Sequence, residues 1–260
     1  MCPRPFLVLI AALAAVGCRA APSSSSSLAT ALACTWGEPG AARHQPDPWG
    51  ELGRSVEGRA MRTRTLGQGP RQVLWIGGIH GNEREGRVAT DELAAAFLAH
   101  PEAPERVTLT LVEDANPDGS ASNRRGNARG VDLNRNFPAT NYRARAARGT
   151  EALSQPETRA LHDLIEALDP DLVLVAHSWP DACFINHDGP ARELAERFAE
   201  TSGWPVRESS ELHATPGSLG SWVGLTLGRP ILTIEYRRGT DPRAAWEETR
   251  AAILEAVLGD

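Results

Sequence analysis

Three nearly continuous apolar runs constrain this chain more than any other feature: QVLWIGGI at 72–79, DLVLVAH at 171–177 and PILTIEY at 230–236. Runs of that length without polar alternation fit strands covered on both faces. Segments of helical composition separate and follow them: DELAAAFLA at 91–99, PETRALHDLIEAL at 156–168, ARELAERFAETS at 191–202 and PRAAWEETRAAILEAVL at 242–258. Pro156 suits a first helical turn, and RVTLTLVED at 106–114 alternates like a further strand. Strands alternating with helices predict one α/β domain. Its expected form is a three-layer α/β/α fold on a mainly parallel mixed sheet with helices on both faces. A chain of 260 residues with 41% hydrophobic content can bury such a core.

Ahead of that domain, at 49–260, composition marks two other segments. Residues 1–18, MCPRPFLVLIAALAAVGC, read as an export leader: Arg4 precedes an apolar stretch too short to span a bilayer comfortably. AAVGC resembles a bacterial lipobox, which predicts lipidation of Cys18, membrane anchoring through it, and a periplasmic or cell-envelope location. Residues 19–48 are small, polar and rich in Gly and Pro, and read as a flexible linker. Cys34 and Cys183 are the cysteines beyond the leader and are candidates to pair in an oxidising compartment. The net charge of -6 argues against a nucleic-acid partner. All 27 basic residues are arginine, so every cationic side-chain contact except those of histidine comes from a guanidinium, suited to gripping carboxylates.

Open α/β sheets bind ligands beyond the carboxyl ends of their strands. The first run ends at His80, with Glu83 three residues on; the second ends at His177; the third reaches Glu235. Parallel strands bring those ends to one edge of the sheet. Two imidazoles and a carboxylate make a catalytic zinc shell with one position open for water. Gly77, Gly78 and Gly81 leave the turn between strand and ligands free to adopt unusual dihedrals. The plainer alternatives are a helix N-terminus complemented by Glu83, a core-edge histidine at 177, and a salt bridge from Glu235 to Arg237 or Arg238. Beside a metal, Glu235 is placed to act as general base. A polar loop from Ala115 to Gln155 carries Arg124, Arg125, Arg129 and Arg135, an expected anion site. Asn134 adds a donor beside Arg135, and Asp132 can support a ligand histidine.

Taken in order, GGIHGNE, NPDG, GVDLNRNF, VAHS and TIE resemble the motifs of the zinc metallocarboxypeptidase family (M14-type), from Gln72 to Tyr236. SQPETRAL and TPGSLGSW bring the chain closest to the bacterial murein-peptide amidase branch, which removes diaminopimelate from a γ-D-glutamyl bond. The resemblance implies one zinc ion held by His80, Glu83 and His177, and Glu235 as general base. It implies Asn134 and Arg135 as binders of a peptide's free C-terminal carboxylate. It also implies Arg125 as the residue polarising the scissile carbonyl, with Arg124 and Arg129 as competitors. Where the family places a mobile tyrosine, this chain has His213, a candidate substrate contact. A general metallocarboxypeptidase would use the same residues on ordinary peptides. Two other readings share some of them. One is an N-acyl-amino-acid deacylase of the aspartoacylase type, with a similar HGNE and DLNR core. The other is a non-catalytic cell-wall-binding lipoprotein.

Overall fold

The computed structural model describes residues 49–212 and 215–259. Eight strands form one sheet: β1 Gly50–Arg54, β2 Ala60–Leu66, β3 Arg71–Ile76, β4 Val107–Val112, β5 Leu172–Trp179, β6 Phe184–Asp188, β7 Val206–Glu208 and β8 Ile231–Arg237. Across the sheet the order is β1-β2-β4-β3-β5-β8-β6-β7. The inner strands β4, β3, β5 and β8 run parallel. Antiparallel neighbours close both sides, β2 and β1 beyond β4 and β6 beyond β8, with β7 parallel to β6. The apolar runs are therefore the parallel centre of a mixed sheet.

Among the described residues six α-helices accompany it: α1 Arg87–Ala99, α2 Ala103–Arg106, α3 Pro117–Ser122, α4 Pro156–Leu168, α5 Arg192–Ser202 and α6 Pro242–Leu258. On one face Trp75, Leu174, Leu232 and Ile234 pack with Leu93 and Phe97 of α1, Phe198 of α5 and Ile253 of α6. On the other face Leu74, Val173, Val175 and Ile231 pack with Leu161 and Ile165 of α4, with Leu133 and Phe137 of the long loop, and with Trp222 of a π-helical turn at Ser221–Thr226. Successive residues of a strand thus enter opposite cores, which is why these strands have no polar alternation. Each such apolar side chain contributes roughly 1.5–3 kcal/mol on burial. Trp75 is fully buried, and its indole N–H is satisfied by Thr90 Oγ1 at 2.9 Å.

Several boundaries differ from expectation. β3 stops at Ile76, so Gly77–Ile79 belongs to the site loop. β5 and β8 continue past His177 and Glu235. The loop 115–155 holds α3 and two short 3-10 turns, Leu133–Arg135 and Ala146–Arg148. Asn116 caps α3, its Oδ1 accepting from Gly119 N at 3.0 Å, and Pro117 takes the first helical position. The leader 1–18, the linker 19–48 and His213 lie outside the described residues. Cys183 is disulfide-bonded; Cys2, Cys18 and Cys34 all lie outside the described residues.

Candidate metal centre and active-site cleft

The loop after β3 and the ends of β5 and β8 meet at one edge of the sheet. His80 and Glu83 stand on a tight turn closed by Glu83 N donating to His80 O at 3.0 Å. The turn precedes α1 rather than opening it. Gly78 has φ 71°, a conformation suited to glycine. Gly81 packs flat on the NPDG turn: a Cβ there would sit 1.9 Å from the carbonyl carbon of Gly119. The two glycine-bearing motifs therefore touch, although 38 residues separate these glycines in sequence. Asn116 ties the same corner, its Nδ2 donating to Ile79 O and Arg125 O, both at 3.2 Å.

Three donor atoms converge. Nδ1 of His80 lies 2.9 Å from Glu83 Oε2, Nδ1 of His177 lies 3.0 Å from the same oxygen, and the two Nδ1 atoms are 3.0 Å apart. Tetrahedral zinc with bonds of about 2.0–2.1 Å spaces its ligands by about 3.3 Å, so the triangle needs to open by only a few tenths of an ångström. Both rings are buried, His80 at 2% exposure and His177 at 4%. Burial pushes His177 toward its neutral form, and the neighbouring His80 adds to that. Burial would raise the Glu83 carboxyl, but His80 and then His177 override it and hold it well below the ordinary range. Burial would lower His80, but the Glu83 and Asp132 carboxylates override it and raise it, so a bound cation would displace its proton; neutral imidazole and ionised carboxylate are the ligating forms. The donor set thus fits a divalent cation.

A second layer orients the first. His80 Nε2 lies 3.0 Å from Asp132 Oδ1, leaving Nδ1 as the inward nitrogen. Burial opposes the Asp132 charge, but the bond to His80 and the nearby guanidinium groups hold its carboxyl well below the usual range. The same Oδ1 accepts from Asn134 N at 3.0 Å and so caps the turn that presents Asn134 and Arg135. Asn134 Oδ1 accepts from Leu219 N at 2.8 Å, and its Nδ2 lies 3.2 Å from His177 Nε2. Arg125 donates from Nε to Asp132 Oδ2 at 3.0 Å and from Nη1 to Glu83 Oε1 at 2.9 Å. Arg125 lines the cleft, whereas the exposed Arg124 and Arg129 do not.

His177 and Glu235 are direct neighbours in the β5–β8 register, on the same face of the sheet. Among the described residues Glu235 forms no hydrogen bond and no ion pair, so the expected alternative of a salt bridge to Arg237 or Arg238 is not made. Burial first, and the Glu83 carboxylate second, push it up to about 8. Arg135 is part-buried in the cleft wall and its Nη1 donates to Asn134 O at 2.5 Å. Among the described residues it has no carboxylate partner within 4 Å.

The cleft extends down the same face of β8. Thr233 pairs with Asn186 and Ile231 with Asp188, and Asn186, Asp188, Ser209, Ser218 and Gly220 line it. Four residues of strand place the Asp188 row about 13 Å from the Glu235 row. Asp188 accepts from Ser209 Oγ at 3.0 Å, has no ion-pair partner among the described residues, and is pushed up by burial. A Cβ on Gly220 would lie 2.4 Å from Asp188 Oδ2, so glycine there leaves the carboxylate open. Sequence reasoning missed Asp188; its only signal is FINHD, two apolar residues followed by three polar ones, without a period and too short to stand out. Leu212 and Thr215 also line the cleft.

The comparisons agree with this geometry. Residues 48–223 match the zinc carboxypeptidase family of M14 peptidases. The murein peptide amidase A of Escherichia coli K12 is 37% identical over 179 residues, covering 63% of this chain and 70% of the relative. Its Vibrio campbellii counterpart is 29% identical over 180 residues, covering 62% and 68%. Among solved structures, murein-tripeptide amidase MpaA from Escherichia coli O157 superposes with TM-score 0.66 at 30% identity, covering 81% of this chain and 92% of that one. Carboxypeptidase A from Helicoverpa armigera reaches 0.69 at 18% identity, covering 81% and 68%, a likeness of fold. Glu235 lies beyond the matched segment 48–223, so its place beside the donor trio rests on the β5–β8 register. With the trio, the supporting Asp132 and the matched segment together, the chain belongs to the zinc carboxypeptidase family.

Proposed function

We propose that this zinc-dependent peptide hydrolase removes the C-terminal residue of cell-wall peptides, with γ-D-glutamyl-diaminopimelate as the substrate type. One observation carries the choice: the cleft beside His80, Glu83 and His177 is lined by Arg135 and Asp188, neither with an ion-pair partner among the described residues. Diaminopimelate in that linkage offers a free carboxylate next to the scissile amide and, at the far end of its side chain, an ammonium beside a second carboxylate. The first carboxylate matches Arg135 with Asn134, and the ammonium matches Asp188. The murein peptide amidases among the relatives support the same reading.

Each residue has a role that its position allows. His80, Glu83 and His177 hold zinc, which supplies Lewis acidity to activate water and polarise a carbonyl. Glu235 accepts the proton of the attacking water and passes it to the nitrogen of the departing amine as the C–N bond breaks. Arg125, half-exposed at the cleft wall, donates to the carbonyl oxygen as negative charge develops there. Arg135 and Asn134 hold the terminal carboxylate, so that the bond one residue from the free end lies at the reacting position. His213 is a further candidate to contact the substrate.

The test is product identification by mass. Zinc-loaded protein should release diaminopimelate from L-alanyl-γ-D-glutamyl-diaminopimelate faster than it releases leucine from a matched peptide. Glu235→Gln should abolish turnover with metal content unchanged. Hydrolysis of N-acyl-aspartate alone, with no amino acid released from any peptide, would overturn the reading.

We further propose an exported protein, anchored through a lipid on Cys18. The leader and lipobox-like residues support it, as does the disulfide at Cys183, a bond that persists in oxidising compartments. No helix of the described residues is long and apolar enough to cross a membrane. Labelled palmitate should enter the wild-type chain and not Cys18→Ala.

A further inference from the structure

We infer that Glu85 is a positioning residue whose buried carboxylate clamps the loop carrying His80 and Glu83 to the ends of β5 and β8. The inference rests on the reading of His80, Glu83 and His177 as the metal ligands. Glu85 is 6% exposed and lies outside the cleft lining, so it does not meet substrate. Its two oxygens reach two other segments. Oε2 accepts from Ser178 Oγ, next to His177. Oε1 accepts from Gly239 N at 2.7 Å, at the corner after the strand that carries Glu235. One carboxylate therefore joins the three segments that supply the trio and the adjacent Glu235.

The corner it grips is shared with a ligand. Ser178 N donates to Glu83 Oε2 at 3.0 Å, and Arg238 Nη2 donates to Glu83 Oε1 at 3.2 Å and to Ser178 O at 3.3 Å. Arg238 N in turn donates to Trp179 O at 2.8 Å. Glu83 thus holds Ser178 N through Oε2, the same oxygen that faces His80 and His177. A bound cation would draw that oxygen away from the corner. Glu85, one alternate residue along the loop, keeps the attachment without taking part in ligation. Glu85 has no cation within 4 Å among the described residues; it is held by a hydroxyl and a backbone N–H. A side chain with two acceptor oxygens can serve two strands at once, which an apolar residue cannot.

Four variants of the full-length protein test this: Glu85→Ala, Glu85→Gln, Ser178→Ala and His177→Ala. Cobalt(II) affinity by chelator competition, the visible spectrum of the cobalt protein, and kcat and KM are measured separately. Glu85→Ala should weaken cobalt binding about 10- to 100-fold, as loss of an outer-shell partner does. It should also change the spectrum, and lower kcat with little change in KM. Glu85→Gln keeps one oxygen for Gly239 N and can donate to Ser178 Oγ, so it should restore most of the affinity and the native spectrum. Ser178→Ala should shift both in the direction of Glu85→Ala, and it decides the matter if Glu85→Ala does not fold. Wild-type affinity and spectrum in Glu85→Ala, or in Ser178→Ala in its place, overturn the clamp. Glu85→Gln as impaired as Glu85→Ala overturns it too, because charge rather than two-point attachment would then be required. His177→Ala with undiminished cobalt binding instead defeats the underlying ligand assignment, independently of Glu85.

Discussion

Replacing Glu235 by glutamine tests the electrostatics of the cleft without relying on turnover. Burial and then the Glu83 carboxylate push the Glu235 carboxyl from 4.5 up to about 8, against the opposing pull of His80, Arg125 and Arg238. Between those values the folded metal-free protein keeps a proton that the unfolded chain has lost. Stability therefore falls as pH rises through that window. The loss begins near pH 4.5 and is complete above about pH 8. At about 1.4 kcal/mol per pH unit the whole window costs about 5 kcal/mol at most. Glu235 is part-exposed, and screening by cleft water reduces this to about 2–3 kcal/mol. Glutamine has no proton to lose, and all other titrating groups are common to both proteins. Urea denaturation of the metal-free proteins at pH 4.5, 6 and 8.5 is the assay. Glu235→Gln should gain about 2–3 kcal/mol over wild type from the lowest pH to the highest. Zinc loading should shrink that gap, because a nearby cation lowers the carboxyl. A wild-type-to-variant difference that stays constant across pH in the metal-free proteins would refute the reasoning.

Other perturbations separate the remaining parts of the site. Asp188→Asn should lower kcat/KM about 10- to 100-fold for peptides ending in a residue with a side-chain ammonium, while leaving neutral ones unchanged, since a charge-assisted bond is lost. Arg135→Ala should cost about 100-fold on a peptide with a free terminal carboxylate and almost nothing on its amide, so the two substrates become equally slow. Asp132→Ala should weaken zinc binding about 10- to 100-fold in a chelator competition, because His80 Nε2 loses its partner. Gly81→Ala puts a methyl group 1.9 Å from backbone at Gly119; denaturation should show a loss of about 1–3 kcal/mol or more.

Much of this protein was legible before any fold was known. The parallel centre of the sheet was readable because a strand covered on both faces must be apolar at every position, as Val73, Leu74, Trp75 and Ile76 are. Chemical residues at the ends of such runs stood out as breaks in the pattern, so His80, Glu83, His177 and Glu235 were marked by local sequence alone. The outer strands were not. β2, AMRTRTL, shares its register with β4 but is largely polar, and β7 is three residues long; neither has a periodicity that distinguishes it from loop. Glu85 and Asp188 were likewise invisible, since a carboxylate in a polar stretch reads as solvated surface until its neighbours are known.

Residue types, their order and the apolar periods belong to the sequence, and they determined the fold class and marked the candidate donor set and the candidate base. Which arginine faces the cleft, that Glu235 stands beside His177, and that Asp188 lies against Gly220 were decided only by the tertiary structure. The reason is physical. Covalent order controls contacts within a few residues, whereas these pairings arise from strand register and packing between segments up to 155 residues apart, as from Glu83 to Arg238.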